Sequence, residues 1–118
     1  MNDFRKLEVW RKSMTLANTV YQKTKDFPKE ELYGITNQMR RYSVSIPSNI
    51  AEGCAKSSSK EFARYLKISL GSAYELETQM TISIGLNYLD KSSYDQILDE
   101  IIQIQKMISK LRSTIKVR

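Results

Sequence analysis

The chain has 118 residues, so the sequence predicts a single domain over residues 1–118 that can bury a core without disulfide bonds. Few glycines and prolines, in a sequence rich in Leu, Ile, Lys and Glu, favour helix over sheet. A formal net charge of +6 favours polyanions as partners, and the absence of histidine excludes Ser-His and Cys-His nucleophilic dyads.

The first predicted helix runs from about Leu7 to Asp26. Its apolar residues recur at helical spacing on one line, with Val9, Leu16 and Val20 beside it: Leu7, Trp10, Met14, Ala17 and Tyr21. Phe27-Pro28 ends the helix, because a residue before proline avoids the helical region.

The second predicted helix covers about Lys29 to Cys54, with Pro28 at its entry and Gly53 as a natural stop. Its apolar line is Ile35, Met39, Tyr42, Ile46 and Ile50. Pro47 lies in the interior, where proline removes one backbone hydrogen bond. We expect the Asn49 side chain to bind a backbone group freed there.

Two more amphipathic helices follow. Ser58 and Glu61 form a predicted capping box that opens the third helix, and Ser92 or Ser93 is expected to cap the fourth. The third helix carries Phe62, Leu66, Ser69, Ala73, Leu76, Met80 and Ile84, and it ends near residues 87–90; the fourth carries Tyr94, Ile97, Ile101, Ile104, Ile108, Leu111 and Ile115. Short connections between four such helices predict an all-α, antiparallel up-down-up-down bundle.

A second set of apolar residues lies away from these lines on helices two and three. The expected oligomer interface consists of Val44, Pro47, Ala51, Ile68, Gly71, Ile82 and Leu86, and Cys54 lies on the same side of helix two. A bundle helix that is apolar on two sides normally buries the second side, so we favour a homo-oligomer. The alternative is a scatter of surface aliphatic residues, which is common on monomers.

Basic residues cluster near both ends of the sequence and at Arg40-Arg41. The candidate nucleic-acid-binding residues are Arg5, Lys6, Arg11, Lys12, Arg40, Arg41, Lys106, Lys110 and Arg112. The alternative is a solvated surface that keeps the protein soluble. Trp10, Tyr21, Tyr42 and Tyr94 are assigned to the core, whereas Tyr33, Tyr65, Tyr74 and Tyr88 are left open as residues that bases could stack on.

We predict no catalytic residue, no metal and no cofactor. Cys54 has no histidine partner, and no glycine-rich nucleotide-binding loop occurs. Glu52, Glu75 and Glu77 could hold a metal, but we favour pairing of one of them with Arg40 or Arg41. A lone cysteine, and the absence of an apolar run of membrane-spanning length or a signal peptide, indicate a soluble cytoplasmic protein.

Several blocks together resemble one known family: residues 4–10, 27–34, 38–41, the Ser45-Ile46-Pro47-Ser48-Asn49-Ile50-Ala51-Glu52-Gly53 run, and residues 71–77. They resemble the 23S rRNA intervening-sequence proteins, also labelled S23 ribosomal protein. The same fold is similar to the accessory protein of diversity-generating retroelements, which assists a reverse transcriptase. This resemblance implies a bacterial cytoplasmic bundle that assembles as a homopentamer with a basic surface. It implies no established activity or catalytic residue.

The leading hypothesis is a non-enzymatic oligomeric bundle that binds RNA or DNA through phosphate contacts, or that assists a nucleic-acid enzyme such as a reverse transcriptase. The rival hypothesis is a protein–protein interaction scaffold with no nucleic-acid role. A carboxylate metalloenzyme is the third reading.

Overall fold

A computed structural model describes residues 3–116. Its helices are α1 (Glu8–Lys23), α2 (Ile35–Cys54), α3 (Ser59–Gly85) and α4 (Lys91–Ser113), with short 3-10 turns at Phe4–Lys6 and Lys29–Glu31. No strand occurs within residues 3–116, so the predicted all-α four-helix fold is confirmed. None of the helices in this part of the chain is long and apolar enough to cross a lipid bilayer.

The helices form an antiparallel bundle of about 47 × 24 × 21 Å. Each helix packs against its sequence neighbours, and α4 also packs against α1. Side-chain hydrogen bonds fix the directions, since each joins the start of one helix to the end of the next or links their middles. They are Arg40 Nε to Thr24 Oγ1 at 2.9 Å, Ser45 Oγ with Ser72 Oγ at 2.8 Å, and Arg112 Nε to the Ala63 carbonyl at 3.3 Å. The up-down-up-down order is therefore the predicted one.

The core consists of the predicted apolar lines of α2, α3 and α4. Their buried members are Met39, Ile46, Ile50, Phe62, Leu66, Ser69, Ala73, Leu76, Met80, Ile97, Ile101, Ile104 and Ile108. Most of the remaining members are half-buried and pack against this cluster, as Ile35, Tyr42 and Tyr94 do. Burial of a large aliphatic side chain contributes about 1.5–3 kcal/mol, so these lines account for much of the stability.

The predicted core line of α1 is wrong in part: Leu7 and Trp10 pack against the core, but Met14 and Tyr21 do not lie in it. The residues of α1 buried in the core are Val9, Ser13, Leu16 and Val20. Met14 and Tyr21 are instead more than two-fifths exposed, and Trp10 is half-buried at the edge of the core. Ser13 is tolerated in the core because its hydroxyl donates to the Val9 carbonyl at 2.6 Å, which satisfies the polar group within the helix.

The most extensive helix contact is between α2 and α3, and Gly53 allows their close approach at one end. A Cβ atom at Gly53 would lie 2.9 Å from Tyr65 Cβ, which is too close, and 3.1 Å from Phe62 Cδ1, which is tight. Helix α2 ends at Cys54 as predicted, but Gly53 has no positive φ and lies inside the helix, so it does not act as a left-handed cap. Further along the same contact, the Ser69 hydroxyl donates to the Ile46 carbonyl at 2.8 Å.

Pro47 lies inside α2 without ending it, because the helix is continuous from Ile35 to Cys54. Proline has no N–H, so the carbonyl of Ser43 loses its usual helical donor. The Asn49 amide does bind a backbone carbonyl, as expected, but the acceptor is Ser45 at 2.8 Å rather than Ser43.

The helix boundaries differ from expectation at two starts. Residues Lys29–Glu31 form a separate 3-10 turn, and α2 begins only after Gly34, whose ψ of −120° is not helical. Helix α4 is capped by Asp90 rather than by Ser92 or Ser93, since Asp90 Oδ1 accepts from the Ser93 N–H at 2.7 Å. That hydrogen bond lowers the pKa of Asp90.

The capping box at α3 is half confirmed, because Ser58 Oγ accepts from the Glu61 N–H at 3.1 Å. Helix α3 ends at Gly85, followed by Asn87 in the left-handed region at φ 62°, which asparagine tolerates better than most residues. The Tyr88 N–H then donates to the Ser83 carbonyl and the Asn87 N–H to that of Ile84, which closes the helix in a Schellman motif.

Replacing Gly53 with alanine should destabilise the fold, because the new methyl group overlaps α3. We expect the free energy of unfolding to fall by about 1–3 kcal/mol, measured by urea denaturation. Gly71 provides the matched control, since it also lies within a helix but a Cβ there meets nothing within 4 Å. Gly71→Ala should therefore gain about 0.5–1 kcal/mol from helix propensity. A Gly53→Ala variant as stable as the wild type would contradict the close α2–α3 contact.

Candidate nucleic-acid interface

The charges of the bundle are separated along its length. Helices α1 and α3 begin, and α2 and α4 end, at what we call the basic end, which comprises residues 3–14, 48–67 and 103–116. Twelve basic residues lie there with four acidic ones, Asp3, Glu8, Glu52 and Glu61. The rest of the described chain has six basic and nine acidic residues. The basic end therefore has a formal charge of +8, whereas the rest of the described chain has a formal charge of −3.

The predicted residues at the start of the chain lie together at this end. Arg5 pairs with Asp3 at 3.1 Å, and its guanidinium carbon lies 4.5 Å from the centre of the Phe4 ring. Arg11 Nη1 donates to the Arg5 carbonyl at 2.9 Å, which brings the two arginines side by side. Lys6 is exposed, whereas Lys12 Nζ donates to Gln103 Oε1 of α4 at 3.1 Å.

Lys106, Lys110 and Arg112 join the basic end from α4, and all three are exposed. Five further basic residues of the same end are not among the candidates from sequence: Lys116, which belongs to the basic cluster near the end of the sequence, and Lys56, Lys60, Arg64 and Lys67, which the sequence analysis missed. An open depression lined by Lys60 and Lys116, together with Ser58 and Ser59, shows that the start of α3 lies beside the end of α4. The predicted antiparallel topology could have identified them, because it places the α2–α3 turn at the same end of the bundle as the start of α1 and the end of α4.

Arg40 and Arg41 lie in the opposite half of the bundle, so the structure does not bring them to the other seven candidates. Arg40 is tied to its own chain, because Nε donates to Thr24 Oγ1 at 2.9 Å and the guanidinium carbon lies 4.9 Å from the centre of the Tyr21 ring. Arg41 is exposed beside Gln38 and Ser45.

An apolar groove runs between α1 and α2. It encloses about 400 Å³ and is lined mainly by Phe4, Trp10, Met14, Ala17, Tyr21, Val44, Pro47 and Ala51. The line of α1 that sequence assigned to the core is thus one wall of this α1–α2 groove. Val44, Pro47 and Ala51, predicted to lie in an oligomer interface, form the other wall, although Pro47 is itself buried within the chain.

The remaining predicted interface residues form a separate surface, which we call the α3 ridge: Ile68, Gly71, Ile82 and Leu86. Ile82 and Leu86 are about half exposed, at 50% and 51%. None of the four lines the α1–α2 groove. Cys54, expected on the same side of helix two as the interface, is instead buried in the core, so that placement is wrong.

Residues 5–110 match the family described as 23S rRNA-intervening sequence protein. The chain belongs to this family. It is also similar to a protein of unknown function from the S23 ribosomal protein family of Bacteroides thetaiotaomicron VPI-5482, known from a crystal structure. The two are 26% identical with a TM-score of 0.83, over 90% of this chain and 96% of that one. Among curated proteins, none matches this chain.

The resemblance inferred from the sequence blocks is thereby confirmed at the level of the family. Neither the family description nor that of the structural relative names an enzymatic activity. The candidate site of this 23S rRNA-intervening sequence protein has therefore to be judged from its own residues.

The acidic residues considered as metal ligands do not converge. Glu77 Oε1 accepts from Gln105 Nε2 at 2.7 Å, whereas Glu52 and Glu75 are exposed. Within residues 3–116, no group of three His, Cys, Asp or Glu side chains is placed to hold a metal ion. The expected pairing of Arg40 or Arg41 with one of these glutamates is wrong: no such pair occurs in the described part of the chain, and Arg40 bonds Thr24 instead.

Cys54 has the properties of a structural thiol. It is buried at the end of α2, and burial raises the pKa of its thiol, with a smaller contribution from the negative charge of Asp3. A raised pKa lowers the fraction of thiolate, which is the reactive form.

We therefore expect Cys54 to react far more slowly with a disulfide reagent such as DTNB in the native protein than in urea. Release of the thionitrobenzoate anion, followed by absorbance at neutral pH, measures both rates. The Cys54→Ala variant gives the blank. Native and unfolded rates that agree would contradict the buried placement.

Proposed function

We propose that this 23S rRNA-intervening sequence protein is a non-enzymatic, cytoplasmic, oligomeric bundle that binds RNA or DNA through phosphate contacts at its basic end. In the cell it would act alone on its nucleic acid or assist an enzyme such as a reverse transcriptase. The observation that carries the proposal is the charge separation, with twelve basic and four acidic residues at one end. Such a surface attracts a polyanion and gains affinity from the counterions that it releases.

The contacts proposed for phosphate are the cations of the basic end, of which Lys12 and Lys56 are half-buried and the others exposed. Of the nine candidates from sequence, Arg5, Lys6, Arg11, Lys12, Lys106, Lys110 and Arg112 are retained, and Lys56, Lys60, Arg64, Lys67 and Lys116 are added. Arg40 and Arg41 are left out because both lie in the acidic half, where Arg40 is also bound to Thr24.

Removing charge from the basic end should weaken binding of RNA and DNA regardless of base sequence. A triple variant, Lys60→Gln, Lys110→Gln and Lys116→Gln, changes three exposed lysines whose side chains make no hydrogen bond within residues 3–116. Its matched control, Lys23→Gln, Lys25→Gln and Lys29→Gln, removes the same charge from the opposite end. We expect the slope of log K against log salt to fall by about 0.7–0.9 per lost phosphate contact in the first variant only.

Fluorescence anisotropy with labelled RNA and duplex DNA at several salt concentrations measures these slopes. If both variants lose affinity equally, net charge rather than the basic end is responsible. If the wild type binds neither RNA nor DNA at low salt, the proposed nucleic-acid function is refuted.

Self-association is proposed to join the α3 ridge of one copy to the α1–α2 groove of the next. Both surfaces expose large apolar side chains, the groove is concave, and the two lie on different helices, although the exposed Glu75 also lies on the face of the ridge. A contact between two different surfaces repeats from copy to copy and closes into a ring when the rotation allows it. The family resemblance implies five copies.

Ridge and groove variants test this contact separately. Ile82→Glu places a charge on the ridge and Val44→Glu places one in the groove, so each variant alone should be monomeric by light scattering. Mixed together, they should form a heterodimer, because one intact ridge and one intact groove remain. Tyr33→Glu is the control, since Tyr33 is 91% exposed and belongs to neither surface. If Val44→Glu assembles normally, the ridge does not bind the groove.

The second candidate function is a protein–protein interaction scaffold with no nucleic-acid role. The apolar α1–α2 groove favours it, because a groove of this size on a small bundle also suits a segment of another protein. A wild-type protein that remains oligomeric but binds no RNA or DNA would favour this scaffold function.

A further inference from the structure

One aromatic ring of the basic end is flanked by two cations. The Arg64 guanidinium carbon lies 4.7 Å from the centre of the Tyr65 ring, and Lys56 Nζ lies 5.0 Å from it. Arg64 is held in place by a second contact, because its Nε bonds Glu61 Oε2 at 3.1 Å. Lys56 has no carboxylate partner within residues 3–116, so its contact with the ring is the easier one to exchange.

Of the four tyrosines that the sequence left undetermined, Tyr65 differs from the rest. Tyr88 donates its hydroxyl to Glu31 at 2.9 Å and packs on Phe27, and so it is occupied within the fold. Tyr33 and Tyr74 are exposed, and neither has a cation over its ring in the described part of the chain. Tyr65 therefore combines a ring, two cations and a place at the basic end.

The base of the Tyr65 side chain is held at the contact between α2 and α3. Its Cβ lies where a side chain at position 53 would stand, so Gly53 and Tyr65 are in close contact. The ring itself is held by its contacts with Arg64 and Lys56. A side chain that is already restricted loses less conformational entropy when a ligand covers it.

We infer that Tyr65 stacks on an unpaired base, so that the nucleic acid preferred by the basic end is single-stranded. This inference rests on the proposed function and specifies its ligand. A base covers a face of the ring, and Lys56 exchanges its contact with the ring for the neighbouring phosphate. In a duplex both faces of each base are already stacked on other bases, so a duplex gains only the phosphate contacts.

Loss of the Tyr65 ring should therefore reduce affinity for single strands selectively. The probes are a short unstructured RNA and the duplex that it forms with its complement, at one low salt concentration. In Tyr65→Leu we expect single-strand affinity to fall by about thirtyfold, the middle of the range for one stacked base, with duplex affinity within about twofold of wild type. Tyr65→Phe keeps the ring and should bind both probes as the wild type does.

Tyr33→Leu is the matched control, because it removes an exposed tyrosine from the other end and should change neither affinity. Far-ultraviolet circular dichroism checks that Tyr65→Leu remains helical, and if it does not, Tyr65→Met takes its place with the same two expectations. Removal of the Lys56 charge should lower the affinity for both probes. If Tyr65→Leu lowers the affinity for both probes equally, or for neither, stacking is refuted but the phosphate contacts are not. If the wild type binds neither probe, the proposed function itself fails.

Discussion

The close packing of α2 on α3 is the contact on which the rest of this structure depends. Gly53 lets the two helices approach, and the Ser69 hydroxyl bonds the Ile46 carbonyl across the interface. Short polar side chains are tolerated at this contact because each hydroxyl is hydrogen-bonded to a neighbouring backbone or side-chain oxygen. The contact brings the turn between the two helices, with Lys56 and Lys60, to the end of the bundle where the chain also starts and finishes.

Hydrophobic period predicted three of the four helices well, because α2, α3 and α4 each have one line of large apolar residues that must face the core. It failed for α1, which has apolar residues on two sides. The line with larger side chains, including Trp10 and Met14, was taken for the core. The true core line contains Ser13, which looks polar in sequence but is satisfied by the Val9 carbonyl. Period alone cannot distinguish a core face from a groove wall.

The candidate interface was predicted in part for a similar reason. Clusters near the two chain termini are visible in the sequence, and antiparallel packing of α1 and α4 brings them together. Lys56, Arg64 and Tyr65 are far from both termini in sequence, so only the topology of the bundle places them beside those clusters. Arg40 was included because of its charge, yet its position half a bundle away and its bond to Thr24 remove it from the interface.

The two proposed properties of the protein overlap only in part on its surface. The α1–α2 groove and the α3 ridge lie along the sides of a bundle about 47 Å long, and the groove reaches the basic end at Phe4 and Trp10. Helix α4 contributes to neither surface, so lateral association would leave its cations free. A ring of parallel bundles would also place all basic ends on one side. Each added copy then contributes its phosphate contacts to the same strand, so binding that is weak for one chain becomes strong for the assembly.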